Sequence, residues 1–167
     1  MSAVTVTAAA WAEIEQVWAR DGLITLTGSL QGADPDSGPW RLRVDPVPPK
    51  ARPTVRSRLH RRIWRVRMSG RRSPGPYDVV ISGGRFHTAV PVNDLVLPRP
   101  LRSGHWRPCL VGPDGSALRL GRHLGVPRRA RVITFPGQRT TAHGPRFRVR
   151  PYYTADNHLA IGSRRAR

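Results

Sequence analysis

Arginines occupy every second position in three short segments, a spacing that suits the binding of a phosphate chain. Alternate residues of a β-strand project from one side of a sheet about 7 Å apart, and guanidinium groups bind phosphate oxygens through paired hydrogen bonds. The three rows are Arg41 with Arg43, Arg65 with Arg67, and Arg146 with Arg148 and Arg150. They predict contact with an extended polyanion, although charged residues on exposed strand positions also prevent edge-to-edge aggregation. The sequence supports both interpretations.

A polar turn forms the second candidate site. Asp156, Asn157 and His158 follow shortly after Tyr152 and Tyr153, and their side chains carry groups that bind a sugar or an ion. Asx hydrogen bonds to the backbone explain the Asp and Asn of such a turn without any ligand, and we favour that interpretation. The two tyrosines are the aromatic pair predicted to be exposed, as base stacking in a nucleic-acid-binding protein would require.

The sequence contains no recognisable catalytic or metal-binding motif. The segment Ser82–Arg85 lacks the spacing of a phosphate-binding loop and predicts a hairpin turn. The six histidines show no paired spacing suited to a metal, so we expect no metal and no cofactor. His105 and Cys109 would lie about 13 Å apart on a strand, too far for a nucleophile and its base. Cys109 is therefore predicted to be a buried structural residue.

The charge balance indicates an anionic partner but has a second explanation. The 167 residues include 29 basic and 10 acidic side chains, a net charge of +19, and such a field attracts polyanions. Lys50 is the only lysine, and an arginine excess beside abundant Ala, Gly and Pro is also typical of a GC-rich genome. Charge alone therefore does not decide the function.

The location is predicted from cysteine usage and hydropathy. The single cysteine excludes an intramolecular disulfide. We find no secretory leader at the N terminus and no apolar run near the ~20 residues of a membrane span. The expectation is a cytoplasmic protein, including peripheral binding at the inner face of the membrane.

Short strands are predicted to position these residues. Most segments alternate apolar and polar residues between turn signals. Asp21-Gly22 supplies the positive φ of one tight hairpin, and Gly112–Gly115 predicts another. The predicted strands are Glu13–Trp18, Leu23–Gly28, Trp40–Val44, Trp64–Met68, Tyr77–Ser82, Trp106–Val111, Ala117–Gly121, Arg131–Phe135 and Phe147–Tyr153.

This pattern predicts an all-β fold, an antiparallel two-sheet immunoglobulin-like sandwich with long Pro/Arg-rich loops. Trp18, Trp64 and Trp106 are the candidate core aromatics. A chain of this length is expected to form one domain. The predicted parts are an N-terminal extension (1–10), the sandwich (11–163) with a mobile Pro/Arg-rich loop (46–62) inserted in it, and a basic tail (164–167).

Five pieces of the sequence carry a family resemblance, and the last of them is the most distinctive. They are Asp21–Gly28, Trp106–Val111, Leu118–Gly121, Val132–Pro136 and Val149–Ile161. Together, over roughly Glu13 to Ser163, they resemble the C-terminal β-sandwich modules of bacterial glycosyltransferases and CDP-glycerol glycerophosphotransferases. Those enzymes build teichoic-acid-type wall polymers and are best represented in actinobacteria.

The resemblance implies an accessory role. In such enzymes a separate nucleotide-sugar or CDP-glycerol domain performs the chemistry, whereas the sandwich supports polymer binding or oligomer assembly. We therefore expect a non-catalytic module, with any transferase domain on another chain or in a missing segment. The expected partner is an anionic wall polymer or a transferase protein.

Three alternatives remain from the residues alone. The first is a basic nucleic-acid-binding protein, which the net charge favours. The second is a structural module that forms homo-oligomers through exposed strand edges or tryptophans. The third is an enzyme, which would need a pocket that gathers Asp156, His158 and other distant polar groups.

Overall fold

The computed structural model describes residues 10–49, 55–69, 73–122, 133–141 and 146–166, and this part of the chain is built mainly from β-strands. The strands are β1 (Trp11–Arg20), β2 (Leu23–Gln31), β3 (Arg41–Val47), β4 (Tyr77–Ser82), β5 (Arg85–Pro91), β6 (Ser103–Val111), β7 (Ala117–Gly121), β8 (Gln138–Arg139), β9 (Phe147–Tyr153) and β10 (Leu159–Arg165). A helix, α1, spans Val55–Met68, and a 3-10 helix spans Val92–Leu95.

Tight turns lie where the sequence predicts them. Asp21 and Gly22, with φ angles of 54° and 77°, join β1 to β2, as a type I′ hairpin requires. Gly83 and Gly84, at 56° and 74°, join β4 to β5. The Gly112–Gly115 turn joins β6 to β7, and Gly112 N donates a hydrogen bond to the Ser116 carbonyl at 2.9 Å. All three predicted hairpins are confirmed.

Seven strands close into a mixed β-barrel in the order β3-β4-β5-β2-β1-β7-β6, and β6 pairs back onto β3. The β1–β7 pairing is parallel, with Ala12 opposite Leu120, whereas the other pairings of the ring are antiparallel. The all-β class is confirmed. The immunoglobulin-like antiparallel two-sheet sandwich is wrong, because period-two alternation reports which face of a strand is buried but not which strands pair.

Three further strands extend the sheet from β6, which pairs directly with the first of them, β10. The first half of β6 pairs with β10, from Ser103 opposite Arg164 to Trp106 opposite Ile161. Its second half, Cys109–Val111, pairs with β7. Strands β9 and β8 continue the sheet beyond β10, so that β8, β9 and β10 form an extension of the barrel wall.

The barrel strands bury alternate residues. Ile24 and Leu26 of β2 and Leu42 of β3 are fully buried, and burying a side chain of this size contributes about 1.5–3 kcal/mol. Trp106 is buried as predicted, with 1% of its surface exposed. Trp18 is 50% exposed, so its assignment to the core is wrong.

The predicted strand Trp64–Met68 is also wrong, because these residues lie in α1. The predicted loop 46–62 is not one irregular segment either, since β3 runs to Val47 and α1 begins at Val55. Trp64 is partly buried and Met68 buried. They are four residues apart, which places them on the same face of a helix. The same residues also fit the period-two alternation of a strand, and this ambiguity explains the wrong prediction.

Two predictions near the end of the chain also need correction. Ile133–Phe135 is irregular, and the first two residues of the predicted strand Arg131–Phe135 lie outside the described residues. Arg164 and Arg165, assigned to a basic tail, complete β10. By contrast, β9 has the predicted bounds Phe147–Tyr153. Within the described ranges, no helix is both long enough and apolar enough to cross a membrane.

Candidate functional site

The arginines of β9 lie on the outer side of the extension. Phe147, Val149 and Pro151 are buried, whereas Arg148 and Arg150 are exposed. Arg146 precedes the strand, and its carbonyl accepts a hydrogen bond from Ala166 N at 2.9 Å, which continues the β9–β10 pairing by one step. Arg146, Arg148 and Arg150 therefore form the row that the sequence predicts.

Neighbouring strands widen this row into a basic face. Arg148 lies directly opposite Arg139 of β8 on one side and Arg164 of β10 on the other. Arg148 also packs over Gly137, where an added Cβ would come within 3.1 Å of its Cγ. We refer to Arg139, Arg146, Arg148, Arg150 and Arg164 as the basic face. None of these five arginines forms an ion pair with a carboxylate of the described residues.

This arrangement is unfavourable for the isolated protein. Like charges directly opposite one another destabilise a sheet, and adjacent strands lie only about 4.8 Å apart. An anion that bridges the guanidinium groups would relieve the repulsion. No acidic residue of the described structure relieves this repulsion by an ion pair with one of the five arginines.

The other predicted rows do not form free rows of charge. Arg41 is ion-paired with Asp78 of β4, and Arg43 Nε lies 2.9 Å from the Asp45 carboxylate. Arg65 and Arg67 lie in the last turn of α1, not on a strand, so their side chains do not share a sheet face. These two rows therefore do not extend the basic face that Arg146, Arg148 and Arg150 form on β9.

A groove of about 800 Å³ lies beside the basic face, between α1 and the outer side of β6 and β9. His60 and Trp64 of α1 form one wall, and Val47–Pro49 follow from the end of β3. The floor and the opposite wall include Ser103, His105, Arg107, Arg119, Tyr152 and Ala160. We refer to this cavity as the α1 groove.

His105 and Tyr152 are joined across the floor of the groove. The Tyr152 hydroxyl lies 2.8 Å from His105 Nδ1, and the two rings meet edge to face with centroids 5.8 Å apart. Burial lowers the pKa of His105 and raises the pKa of Tyr152. Both groups are therefore neutral at pH 7, and one of them donates the hydrogen bond that the other accepts.

Two arginines, Arg107 and Arg119, line the groove, and a third lies on the neighbouring strand β3. On β6, Cys109 pairs with Arg43 of β3 on one side and with Arg119 of β7 on the other. Two residues away on the same strand, Arg107 lies opposite Asp45 of β3. Burial and Asp45 raise the pKa of the buried Cys109 thiol, whereas Arg43, Arg107 and Arg119 act in the opposite direction. Asp45 is the acidic member of this cluster and pairs with Arg43. Arg107 and Arg119 have no ion-pair partner among the described carboxylates.

The predicted polar turn lies at the rim of the groove. Thr154 and Ala155, which precede Asp156, line the cavity. Asn157 adopts a φ of 57°, and its N–H donates to the Thr154 carbonyl at 3.0 Å. Asp156 is exposed. These bonds fit the turn-forming role, and binding by Asp156, Asn157 and His158 stays a prediction.

Sequence reasoning did not single out Trp64, Arg107 or Arg119 as site residues. The sequence indicates part of this site, because the exposed residues Ser103, His105 and Arg107 alternate with the half-buried Gly104 and the buried Trp106 on β6. The approach of α1 to this face is a long-range contact that no local pattern predicts. Tyr153, predicted to be exposed beside Tyr152, is buried, and burial raises its pKa to about 12. In the described part of the chain, no three His, Cys, Asp or Glu residues converge as metal ligands.

Comparison with known proteins identifies a fold neighbour but no family. No protein-family model matches the sequence, and no curated protein matches it. The chain is similar in structure to residues 217–571 of TarS from S. aureus, with a TM-score of 0.56 and 11% sequence identity. The match covers 96% of this chain and 40% of the TarS segment. At this identity the likeness shows a shared fold, and this chain spans less than half of the segment that it matches.

Proposed function

We propose that this chain is a non-catalytic binding module that works with teichoic-acid-type wall polymer transferases and holds an anionic polymer on its basic face. The observation that carries the proposal is the lateral row Arg139–Arg148–Arg164, in which three like charges stand on adjacent strands. An extended phosphate polymer is the ligand that neutralises such a row most fully.

Two further observations support this proposal. The sequence resembles the accessory modules of such transferases in Asp21–Gly28 and Val149–Ile161. The fold also occurs within a segment of TarS that is itself part of a longer protein, as an accessory module would. Of the basic face, Arg150 lies within the piece Val149–Ile161, and Arg164 follows that piece by three residues.

The test is a binding titration of labelled poly(glycerol phosphate) at ~0.15 M salt, where the Debye length is near 8 Å. The double variant Arg148→Gln/Arg164→Gln should lower the affinity about tenfold or more, because it removes the centre and one side of the row. Arg20→Gln/Arg85→Gln is the matched control, since it removes two charges at positions that are already ion-paired.

Equal losses in the two double variants would contradict the proposal, because they would mean that net charge alone drives binding. A duplex DNA of matched charge serves as the competing ligand over a salt series. If the two ligands bound with equal affinity at every salt concentration, charge alone would drive binding and the preference for a wall polymer would be contradicted. Tighter binding of the DNA would favour the basic nucleic-acid-binding alternative.

Protein docking is the second candidate function, and one observation favours it. Leu59 and Val66 of α1 are 58% and 66% exposed and lie with Pro100 around a shallow apolar groove of about 400 Å³. Large exposed apolar side chains of this kind often mark an interaction surface. If the surface forms a homo-oligomer, sedimentation at high protein concentration should detect it, and Leu59→Ser/Val66→Ser should abolish it. A monomer at all concentrations would contradict self-association.

A further inference from the structure

The α1 groove combines two kinds of surface that a bare polyanion track does not need. Trp64 and Tyr152 contribute aromatic rings on opposite elements, and Ala160 adds apolar floor. Arg107 and Arg119 contribute guanidinium groups to the same cavity. Pockets for small organic ligands typically have volumes of about 300–1,000 Å³ and pair apolar walls with a few convergent polar groups. The groove, at about 800 Å³, has this character and is much larger than an inorganic phosphate requires.

The electrostatics select the charge of the ligand. Arg43 is occupied by Asp45, whereas Arg107 and Arg119 have no ion-pair partner among the carboxylates of the described residues. Exposed guanidinium groups in a partly enclosed cavity favour a phosphate, which accepts paired hydrogen bonds from each of them. His105 holds Tyr152 in place through the 2.8 Å hydrogen bond to its hydroxyl, and a fixed ring loses little entropy when a ligand packs against it.

The groove is continuous with the basic face through the register of the sheet. His105 lies opposite Gly162 of β10, and Gly162 lies opposite Arg150 of β9. Tyr152, on the groove floor, is two residues from Arg150 on the same side of β9. A polymer that lies along the basic face therefore reaches the groove without crossing another element of the described structure.

We propose that the α1 groove binds a single polyol-phosphate or sugar-phosphate unit, with the carbon skeleton against Trp64 and Tyr152 and the phosphate on Arg107 and Arg119. This inference rests on the proposed function, because it makes the groove the recognition site for one unit of the polymer that the basic face holds. The basic face then supplies affinity that depends on charge, and the groove distinguishes a polyol-phosphate polymer from other polyanions.

The test uses a glycerol phosphate trimer, which is too short to span the groove and the full basic face, and measures its affinity by calorimetry. Arg107→Gln/Arg119→Gln should weaken trimer binding about tenfold or more, since each variant residue removes a charge-assisted contact. Arg148→Gln/Arg164→Gln should leave trimer binding within about twofold while weakening the long polymer. Both pairs are exposed arginines, and thermal unfolding verifies that the variants fold.

A second arm tests the organic part of the ligand. Trp64→Leu keeps an apolar side chain on α1 and should weaken the trimer without changing the weak binding of inorganic phosphate. Inorganic phosphate that binds as tightly as the trimer would overturn the inference, and so would trimer binding that depends on Arg148 and Arg164 instead of Arg107 and Arg119. A long polymer that binds while the trimer does not would overturn the groove site alone, whereas the proposed function fails if the long polymer itself does not bind.

Discussion

The barrel and the extension use arginine in opposite ways. On the barrel, Arg20, Arg41 and Arg85 each lie beside a carboxylate, on Asp21, Asp78 and Glu15 respectively. On the extension, Arg139, Arg148 and Arg164 lie beside one another. A codon bias toward arginine would supply this residue to both regions alike. The difference therefore lies in the acidic residues. Arg107 and Arg119 are the exception on the barrel strands, because they line the α1 groove and have no ion-pair partner among the described carboxylates.

The sequence explains this contrast. Nine of the ten acidic residues precede residue 115, and Asp156 alone follows it. The extension, from Gln138 to Arg165, contains six arginines and one acidic residue, so it has little internal means of neutralising its charge. Surface ion pairs contribute only about 0–1 kcal/mol each, and their absence costs the fold little. The extension can thus be highly basic on its outer side, because the buried apolar residues on its other side stabilise the packing of its strands.

The largest effect that separates the two regions is expected from glycine substitutions. A Cβ at Gly28 in the barrel would collide with the Glu13 carbonyl and would lie 2.7 Å from the Phe86 ring. At Gly162 in the extension the nearest atom would be Tyr152 Cε1 at 3.6 Å, an ordinary contact. Gly28→Ala should lower the free energy of unfolding by about 2 kcal/mol or more, and Gly162→Ala should change it by less than about 0.5 kcal/mol. Urea denaturation measures the free energy of unfolding of both variants. Equal losses would contradict the difference in packing between Gly28 in the barrel and Gly162 in the extension.

A smaller effect is expected where the barrel and the extension meet. Trp106 Nε1 donates to Ser163 Oγ at 2.9 Å, and that hydroxyl donates to the Leu95 carbonyl at 2.8 Å. Ser163→Ala leaves two buried polar groups without these bonds and should cost about 1–3 kcal/mol of unfolding free energy. Ser103→Ala, at an exposed position, is the control. A Ser163→Ala protein as stable as the control would mean that this buried network does not join the two regions.

Neutralising single arginines should change stability in opposite directions in the two regions. Arg148→Gln relieves repulsion from Arg139 and Arg164 and should raise the free energy of unfolding by about 0.2–1 kcal/mol at low salt. Arg85→Gln removes the ion pair with Glu15 and should lower it by at most about 1 kcal/mol. Both effects should shrink as salt increases. A destabilising Arg148→Gln would show that the row is not repulsive in the free protein.

The smallest effect concerns pH at the α1 groove. Burial lowers the folded-state pKa of His105, so the native state binds fewer protons there than the unfolded chain does, whose pKa is near 6.5. The contribution of His105 to stability is therefore complete above about pH 6.5 and declines as the pH falls through the folded-state pKa. An NMR titration of His105 should give a midpoint below 6.5, and a midpoint above that value would contradict the partial desolvation of this exposed residue in the groove.

Local features of the fold were predictable, whereas closure of the barrel was not. Asp21-Gly22 and Gly83-Gly84 predict hairpins because they adopt positive φ at little cost, and Phe147–Tyr153 alternates cleanly enough to give the bounds of β9. The parallel contact of Ala12 with Leu120 joins residues more than a hundred positions apart. No periodicity within either strand encodes that pairing.

The candidate site was predictable to the same extent. The row Arg146, Arg148 and Arg150 follows from alternation along one strand, but Arg139 and Arg164 join it only through the register of β8 and β10. The segment containing Trp64 was misassigned because Trp64, Val66 and Met68 fit a strand, while Trp64 and Met68 also fit one face of a helix. The α1 groove depends on that helix, so the sequence alone did not predict the groove.

The basic face can be tested directly by following arginine Nε–H signals in NMR spectra while poly(glycerol phosphate) is added at ~0.15 M salt. We expect the signals of Arg139, Arg148, Arg150 and Arg164 to shift in a saturable way, while those of Arg20 and Arg85 stay in place. Shifts of equal size at the barrel arginines, or none on the extension, would contradict the assignment of polymer binding to this face.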